Sequence, residues 1–171
     1  MPFSIIVGAH STNRAIGAKG KIPWKCRADM NFFKEITSSV SDSTKMNAVI
    51  MGRRTFESLQ KPLPNRLNVV LSMGSISLCD SVVFSNDFNK VLNNLEIDPN
   101  IETIFVIGGE NVYKQAINHP KCEKIYLNEV HVVCDLSESD AFFPEIDPKM
   151  YKLVDTAIID PTVTSFVFSA I

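Results

Sequence analysis

Asp29 is the carboxylate that the sequence places in the least expected surroundings. It belongs to the stretch KIPWKCRADMNFFKE, residues 21–35. If the residues after Trp24 are helical, Asp29 lies in the first turn and shares one face with the apolar residues at i+3, i+4 and i+7. These residues are Phe32, Phe33 and Ile36. The helix dipole stabilises a first-turn carboxylate by about 0.3–1 kcal/mol, which explains the turn but not the apolar face.

An acid among aromatic side chains resists ionisation unless a cation or several donors hold it. Lys25 and Arg27 lie nearby in sequence, but by their spacing they point away from this face. We therefore hypothesise that Asp29 binds a planar heterocycle with adjacent N–H donors, while Phe33 offers a stacking surface. Stabilisation of the helix start alone is the alternative.

A second candidate site follows the strand in VIMGRRTFESL, residues 49–59. We predict that the strand stops at Gly52 and that a helix starts at Thr55, whose hydroxyl caps its first turn. Arg53 and Arg54 then lie beside unpaired backbone N–H groups, which favours phosphate binding. The alternative is a solvated basic turn, although all five arginines of the chain precede residue 67.

A third candidate site is the glycine pair in TIFVIGGENVYKQAI, residues 103–117. Gly108 and Gly109 end a buried strand, and a helix is predicted to begin near Glu110. Glycines here allow a phosphate to approach the backbone, but a tight turn with positive φ selects glycine equally well. The GxGxxG dinucleotide fingerprint is absent. Ligands of open α/β sheets bind at the carboxyl ends of the strands, where this turn and the Gly52 turn both lie.

Two loops complete the candidate cleft. Residues 11–24, STNRAIGAKGKIPW, carry Gly17 and Gly20 and are predicted to form a mobile lid. In QKPLPNRLN, residues 60–68, Arg66 follows two prolines that stiffen the loop, which favours a grip on a terminal carboxylate. A surface arginine without a partner is the alternative for Arg66.

Short runs rich in β-branched residues, separated by helical patterns, must position these side chains. The predicted strands are residues 3–9, 47–51, 67–71, 82–84, 103–108, 124–133, 151–159 and 164–171. The predicted helices are around 27–37, 55–60, 87–94 and 110–117. The early order is typical of βαβ units in a parallel sheet, and the last two strands form an antiparallel hairpin around residues 160–162. A mixed α/β fold follows.

Length and composition favour one domain over residues 1–171. The chain has 171 residues, of which 45% are hydrophobic, and a formal net charge of -2. This balance does not favour a nucleic acid or an anionic membrane as partner. No apolar run reaches about 18 residues, and the run at residues 3–9 is too short for a signal peptide. We expect a soluble, unsecreted protein that binds a small molecule.

The cysteines show no pattern typical of a metal site. Cys26, Cys79, Cys122 and Cys134 form no CxxC pair, and the three histidines keep no ligand spacing with them. We predict no metal, and buried or half-buried free thiols in a reducing compartment.

Taken together, these motifs resemble the dihydrofolate reductase family over nearly the whole chain. The motifs that carry the resemblance are IPWKCRADMNFFK (22–34), VIMGRRTFESL (49–59), KPLPNRLNVVLS (61–72), FVIGGENVY (105–113) and DAFFP (140–144). The resemblance implies a mixed, mostly parallel eight-stranded sheet flanked by about four helices, with a C-terminal antiparallel hairpin. The implied reaction is reduction of 7,8-dihydrofolate to tetrahydrofolate by hydride transfer from NADPH, which supplies one-carbon metabolism.

The resemblance also implies roles at the pterin. Asp29 would bind the 2-amino group and ring nitrogen and promote protonation of N5 through water, which Trp24 would steady. Tyr113 would lie beside the hydride path, Asn128 would support Asp29, and Arg66 would clamp the glutamate α-carboxylate. The implied substrate-binding residues are Val7, Gly8, Ala9, Ile22, Asp29, Met30, Phe33, Thr55, Leu59, Leu63, Arg66, Ile107 and Tyr113. Phe33, Leu59 and Leu63 would enclose the p-aminobenzoyl ring.

On the cofactor side, the resemblance implies a cradle for NADPH. Residues 108–112 would hold the pyrophosphate, Arg53, Arg54 and Thr55 the phosphates, and Leu71 and Ser72 the adenosine end. The implied cofactor-binding residues are Ala9, Ile16, Gly20, Lys21, Ile22, Gly52, Arg53, Arg54, Thr55, Leu71, Ser72, Met73, Ile107, Gly108, Gly109, Glu110, Asn111, Val112 and Tyr113.

Three positions depart from the family pattern. Asn128 stands where a threonine usually links the acid to the pterin amino group, and we expect a water link to survive with altered geometry. Met73 replaces a basic or hydroxyl residue that often holds the 2′-phosphate, so that role would fall mainly to Arg53, with Arg54 as a second candidate. Ile22 replaces a Met or Leu of the lid.

Dihydrofolate, antifolate-type small molecules and NADPH are the expected ligands of a cytoplasmic, monomeric and monofunctional enzyme. One alternative is a reductase of the same fold that acts on another heterocycle, such as a riboflavin precursor. The other is a catalytically idle protein that binds a nucleotide or folate.

Overall fold

A computed structural model describes residues 2–73 and 82–171. The helices are α1 (Arg27–Ser38), α2 (Arg53–Leu59), α3 (Phe88–Glu96) and α4 (Glu110–Ile117). The strands are β1 (Phe3–His10), β2 (Ala15–Gly17), β3 (Met46–Gly52), β4 (Arg66–Leu71), β5 (Val82–Ser85), β6 (Ile101–Gly108), β7 (Cys122–Val130), β8 (Ala141–Phe142), β9 (Tyr151–Asp160) and β10 (Val163–Ala170). Within the described residues, no helix is long and apolar enough to cross a membrane.

Eight strands form one sheet in the order β5-β4-β3-β6-β1-β7-β10-β9. Every pairing from β5 to β7 is parallel, and β10 pairs antiparallel with both β7 and β9. The mixed sheet and the C-terminal hairpin are therefore confirmed. The carboxyl ends of β1, β3 and β6 meet at one edge, and α2 and α4 begin there directly after β3 and β6.

The sheet is buried on both faces because its central strands alternate between two cores. In β6, Ile104 and Val106 pack with residues of α3 and α4, whereas Phe105 and Ile107 pack with residues of α1 and α2. Strands that are covered on both faces have continuously apolar sequences. The two layers of helices thus follow from the same runs that predicted the strands.

The hairpin turn between β9 and β10 is fixed by a local side chain. The Oδ1 atom of Asp160 accepts a hydrogen bond from the backbone N–H of Thr162 at 2.7 Å. The hydroxyl of Thr162 donates to the same oxygen, and this bond together with the backbone bond holds the pKa of Asp160 below its usual range. An Asp that bonds two residues ahead is a common turn former.

The predicted elements all exist, although several of their bounds differ from the prediction. Helix α2 begins at Arg53 with Gly52 as its N-cap, so the predicted start and side-chain cap at Thr55 are wrong. Strand β7 ends at Val130 and not at residue 133. The short strands β2 and β8 pair with each other and tie the predicted lid to the DAFFP motif, a long-range contact that neither segment signals alone.

The thiol prediction holds where the structure describes the cysteines. Cys26 and Cys122 are buried and Cys134 is half-buried, and all three are free. Cys79 lies outside the described residues.

Candidate active site

The predicted acid lies at the carboxyl edge of the sheet, on the face covered by α1. Asp29 is in the first turn of α1 and projects toward the end of β1. Gly8 of β1 and Asn128 of β7 are direct partners in the parallel register, so they lie side by side beneath Asp29. The three residues come from three elements, and only the sheet pairing brings them together.

Asp29 contacts both neighbours closely. The Asn128 Nδ2 group donates a hydrogen bond to Asp29 Oδ1 at 3.0 Å. A Cβ atom built on Gly8 would lie 2.5 Å from Asp29 Oδ2 and 2.8 Å from Oδ1, which is shorter than any real carbon–oxygen contact. The carboxylate therefore occupies space that only glycine leaves open.

The surroundings of Asp29 make its carboxyl harder to ionise than an exposed one. Burial raises the pKa of Asp29, and the Asn128 hydrogen bond opposes this shift only in part. An acid lodged among apolar side chains was expected to resist ionisation, and this expectation is confirmed. Asn128 bonds the carboxylate directly at 3.0 Å, and the water link from this pair to a ligand stays a prediction.

Asn128 carries an unsatisfied acceptor. Its side chain is only 2% exposed, and its Oδ1 atom has no hydrogen-bond partner among the described residues. An orphaned buried carbonyl costs about 1–3 kcal/mol. The amide oxygen next to Asp29 is thus ready to accept a bond from a ligand N–H group or a water molecule.

Tyr113 of α4 lies close to the same acid from the opposite face of the sheet. Its hydroxyl donates to the Ile6 carbonyl at 2.9 Å, and its ring meets the edge of Phe143 at a centroid distance of 5.1 Å. Burial, and then the negative charge of Asp29, raise the pKa of Tyr113 far above its usual value. Tyr113 is therefore a fixed neutral hydroxyl.

Trp24 is held by a packed cluster at the start of α1. It is 7% exposed and packs with Cys26, Val130 and Val163. The ring of His10 lies 6.0 Å from that of Trp24. His10 Nδ1 accepts from the Thr12 backbone N–H at 3.1 Å, so its Nε2 must donate to the Val132 carbonyl at 2.7 Å. These bonds anchor the beginning of the predicted lid.

Arg66 is buried, which excludes the alternative of a surface arginine. Its side chain donates to Pro64 O and to the Thr37 hydroxyl, both at 2.9 Å. Burial lowers the pKa of Arg66, and no described carboxylate lies within ion-pair distance of it. A buried cation without a counter-ion is costly, so the site favours an anionic ligand.

Asp29 and Arg66 mark two ends of one helix. Thr37, the partner of Arg66, lies eight residues after Asp29 in α1, a separation of about 12 Å at a rise of roughly 1.5 Å per residue. Phe33 lies halfway between them, in one apolar cluster with Leu59, Leu63 and Ile107. A ligand with N–H donors at one end and a carboxylate at the other fits along this face.

Glycines line the space between the starts of α2 and α4. Gly108 adopts φ +118°, and a Cβ there would meet the Tyr113 ring at 3.1 Å. Gly109 has ordinary φ, and its Cβ would meet the Thr55 hydroxyl at 3.4 Å. The backbone conformation explains Gly108, whereas Gly109 leaves open space toward Thr55.

Some of the charged side chains at the starts of α2 and α4 already have partners within the protein. Arg53 Nε bonds Glu57 at 2.9 Å, while Arg54 is exposed on the first turn of α2. Glu110 accepts from the Phe142 backbone N–H at 2.7 Å and lies 3.5 Å from the Lys114 ammonium. Glu110 therefore links α4 to β8 through its side chain.

The remaining predicted residues divide into packed and exposed groups. Packed in the core beneath the site, or against it, are Val7, Ala9, Ile16, Leu71, Val112 and Tyr113. Gly52 and Ser72 are half-buried. Exposed are Gly20, Lys21, Ile22, Met30, Met73 and Asn111. The contacts of these exposed residues with any ligand stay predictions.

Thr37 was missed by the sequence reasoning. It is fully buried, donates to Phe33 O at 2.7 Å and accepts from Arg66. A signal existed, since Asp29, Phe33 and Thr37 recur every four residues along one helix face. The partner of Thr37, however, comes from β4 and is not visible in that pattern.

Comparison with known proteins identifies the family. Residues 3–167 match the family described as dihydrofolate reductase. The dihydrofolate reductase of Heliothis virescens is 39% identical over 158 residues, which cover 88% of this chain and 83% of that protein. The chain belongs to the dihydrofolate reductase family.

Other members of the dihydrofolate reductase family that resemble this chain are longer. A bifunctional dihydrofolate reductase-thymidylate synthase of Arabidopsis thaliana is 41% identical over 159 residues, and one of Daucus carota is 38% identical over 161 residues. Each match covers 88% of this chain but only 27% and 29% of the respective relative. The chain spans less than a third of the length of these bifunctional relatives.

The Asp29 pKa predicts how a variant changes stability with pH. Because burial raises the pKa in the folded state, this carboxyl favours folding at pH values below its unfolded pKa. That contribution is lost as the pH rises through the folded-state pKa. The side chain of Asp29→Asn cannot ionise. The free energy of unfolding of this variant, relative to that of the wild type, should therefore increase as the pH rises from about 3.5 to about 7.

Urea unfolding of both proteins across this pH range measures the difference. Asp155→Asn, an exposed carboxyl on β9, is the matched control. A variant that loses stability relative to the wild type as the pH rises would contradict the assigned environment of Asp29.

Proposed function

We propose that this protein reduces 7,8-dihydrofolate to tetrahydrofolate with NADPH, and so supplies one-carbon metabolism. The observation that carries the proposal is the arrangement along α1. At one end lies a half-buried acid, beside an amide oxygen that has no partner among the described residues. At the other end lies a buried arginine with no described carboxylate within ion-pair distance. Dihydrofolate has matching groups, since its pterin is donor-rich and its tail ends in glutamate. Membership of the dihydrofolate reductase family supports the same reading.

Asp29 binds the 2-amino group and the neighbouring ring nitrogen of the pterin in this proposal. Because its pKa is raised, Asp29 holds a proton closer to neutral pH than an exposed carboxyl does, and it promotes protonation of N5 through water. Trp24, fixed in its apolar cluster, limits the positions open to that water. Asn128 Oδ1 accepts from the 2-amino group or from the same water.

The remainder of the substrate lies along α1. Phe33, Leu59 and Leu63 enclose the p-aminobenzoyl ring, because they belong to one apolar cluster beside the α1 face. The guanidinium of Arg66, held in place by Thr37 and Pro64, pairs with the α-carboxylate. Antifolate-type molecules with the same donor pattern would occupy the same cleft.

The residues at the two strand-to-helix turns fit a dinucleotide. Bound NADPH would supply the hydride for C6 of the pterin. The open backbone at Gly52 and Gly109 leaves room for its phosphates, and Arg53 and Arg54 neutralise their charge. The walls beside the nicotinamide come from Ala9, Ile107 and the neutral hydroxyl of Tyr113.

The proposal includes a cytoplasmic monomer with one domain. Three free thiols at Cys26, Cys122 and Cys134 fit a reducing compartment. The side chains assigned to the pterin and the dinucleotide come from one copy of the chain, on helices, loops and strand ends at one edge of a single sheet. A second subunit is not needed to complete the site.

Turnover tests the central proposal. Loss of NADPH absorbance should require dihydrofolate, and Asp29→Asn should lower kcat/KM by about 10²–10⁴-fold near neutral pH. NADPH affinity should stay close to wild type in this variant, because Asp29 lies at the pterin end of the site. The matched control is Asp155→Asn on the exposed strand β9.

The possible outcomes separate three readings. If the protein binds NADPH but does not turn over dihydrofolate or another heterocycle, it is a binding protein and not an enzyme. Turnover only with another heterocycle would assign a different reductase, and full activity of Asp29→Asn near neutral pH would remove Asp29 from the mechanism.

Arg66 should control recognition of the glutamate tail. Arg66→Leu removes charge-assisted hydrogen bonds, each of which contributes about 1.5–3 kcal/mol, so KM for dihydrofolate should rise at least about tenfold. KM for a dihydropterin without the tail should change little in the same variant. Steady-state kinetics with both substrates measure the ratio, which cancels any partial loss of folded protein. Equal losses for the two substrates would refute the tail contact.

Arg53 should determine the preference for the 2′-phosphate. Arg53→Ala is expected to weaken binding of NADPH more than that of NADH, because only NADPH carries this anion. Fluorescence titration with both dinucleotides measures the ratio. Arg54→Ala tests the neighbouring guanidinium, and Glu57→Gln releases Arg53 from its 2.9 Å ion pair without removing the cation. Equal weakening of both dinucleotides in Arg53→Ala would show that Arg53 does not contact the 2′-phosphate.

A further inference from the structure

Gly8 and Asn128 are neighbours on adjacent strands, one without a side chain and the other with a long polar one. They are direct partners in the parallel pairing of β1 and β7, and both face α1. Gly8 contributes no side chain to this face, whereas Asn128 contributes a long one. The Asp29 carboxylate lies over the space above Gly8 and is bonded to the Asn128 amide at 3.0 Å.

Asn128 cannot adjust freely to a new position of Asp29. Its side chain is 2% exposed and lies in the middle of three paired strands, between Gly8 of β1 and Ser165 of β10. The Nδ2 group therefore fixes where the carboxylate lies. A threonine hydroxyl at this position would end one bond nearer the backbone and would require a water molecule or a shift of Asp29 to make the link.

Gly8 cannot accept a side chain while Asp29 stays in this position. An alanine Cβ would lie 2.5 Å from Oδ2, 2.8 Å from Oδ1 and 2.9 Å from Cγ of Asp29. To restore ordinary contact, the carboxylate would have to retreat from the sheet by about 1 Å, which would break its bond to the enclosed amide. Both nitrogen and oxygen of Asn128 would then be unsatisfied.

We propose that Gly8 and Asn128 act together as a coupled positioning pair, which fixes the Asp29 carboxylate against the sheet, so that substitutions at the two sites are not independent. The kinetic reading of this pair rests on the proposed function. The structural reading does not, since it concerns only the position of Asp29.

Few ionisable groups complicate a measurement on Asp29. Tyr113, packed from α4, interacts electrostatically with it and stays neutral. His10 lies two residues beyond Gly8 on the same strand face, with both ring nitrogens bonded to Thr12 and Val132. The α1 neighbour Arg27 is exposed. The Asn128 bond lowers the pKa of Asp29 against the effect of burial, so loss of this bond should raise that pKa.

The experiment is a double-substitution cycle on the full chain without ligand. Carboxyl ¹³C NMR titration gives the Asp29 pKa in the wild type, Gly8→Ala, Asn128→Thr and the double variant, with Asp29→Asn for assignment. Each single substitution should raise the pKa, and the double variant should show no more than the larger single shift. Gly17→Ala is the matched glycine control, because its Cβ would meet Ala141 at 3.2 Å and not Asp29.

Kinetics with dihydrofolate provide the second readout. A displacement of about 1 Å can cost on the order of 10²-fold, so each single variant should lose about 10–100-fold in kcat/KM. The double variant should lose about as much as the worse single variant, and not the product of both losses. Additive pKa shifts together with multiplied kinetic losses would overturn the proposal.

Two outcomes distinguish the pair from the proposed function and from misfolding. If dihydrofolate is not turned over but the pKa shifts are non-additive, the proposed function fails and the positioning pair stands. If Gly8→Ala folds only together with Asn128→Thr, the coupling is supported. If neither protein that carries Gly8→Ala folds, Asn128→Thr alone decides, and an unchanged Asp29 pKa in it would overturn the proposal.

Discussion

The site depends on how one carboxyl group is accommodated in an apolar cleft. Within the described part of the chain, the Asn128 amide donates to Asp29 against a burial cost that this bond offsets only in part. The carboxylate can approach the donor because Gly8 leaves the sheet surface open beneath it. Because one hydrogen bond does not offset the burial cost of Asp29, each further donor stabilises the carboxylate strongly. A ligand with adjacent N–H groups therefore gains most from binding there.

A buried cation gives the cleft its direction. Arg66 carries a positive charge without a described carboxylate partner, at the far end of α1 from Asp29. The helix acts as a rigid spacer between the two charges, and the aromatic ring of Phe33 lies between them. The unpaired charge of Arg66 and the burial of the Asp29 carboxyl both lower the stability of the free protein, and a ligand of matching polarity offsets both costs.

The parallel sheet makes this arrangement possible. Because neighbouring strands run in the same direction, β1, β3 and β6 end at one edge, and the segments that follow them all contribute to the same cleft. The residue register across β1 and β7 then decides which side chains meet under Asp29. A slip of one residue would turn Asn128 to the opposite face and remove the donor from the acid.

Much of the fold was determined by local sequence. Continuous apolar runs fixed the strands, and the four-residue spacing of polar and aromatic residues fixed the exposed and buried sides of α1, because both signals act within one element. Local sequence also placed Asp29 on an apolar face, where a carboxylate requires a cation or hydrogen-bond donors to stabilise its charge. The prediction misplaced the start of α2, because the true cap, Gly52, has no side chain to signal it, whereas the hydroxyl of Thr55 resembled a cap.

Only the tertiary structure decided what the side chains touch. The direct bond from Asn128, the open space above Gly8, the burial of Arg66 beside Thr37 and the pairing of β2 with β8 all join residues distant in sequence. Such contacts depend on strand order and register, which no single segment encodes. The sequence therefore determined that an acid required a partner, and the packing of three elements decided which residue met it and how closely.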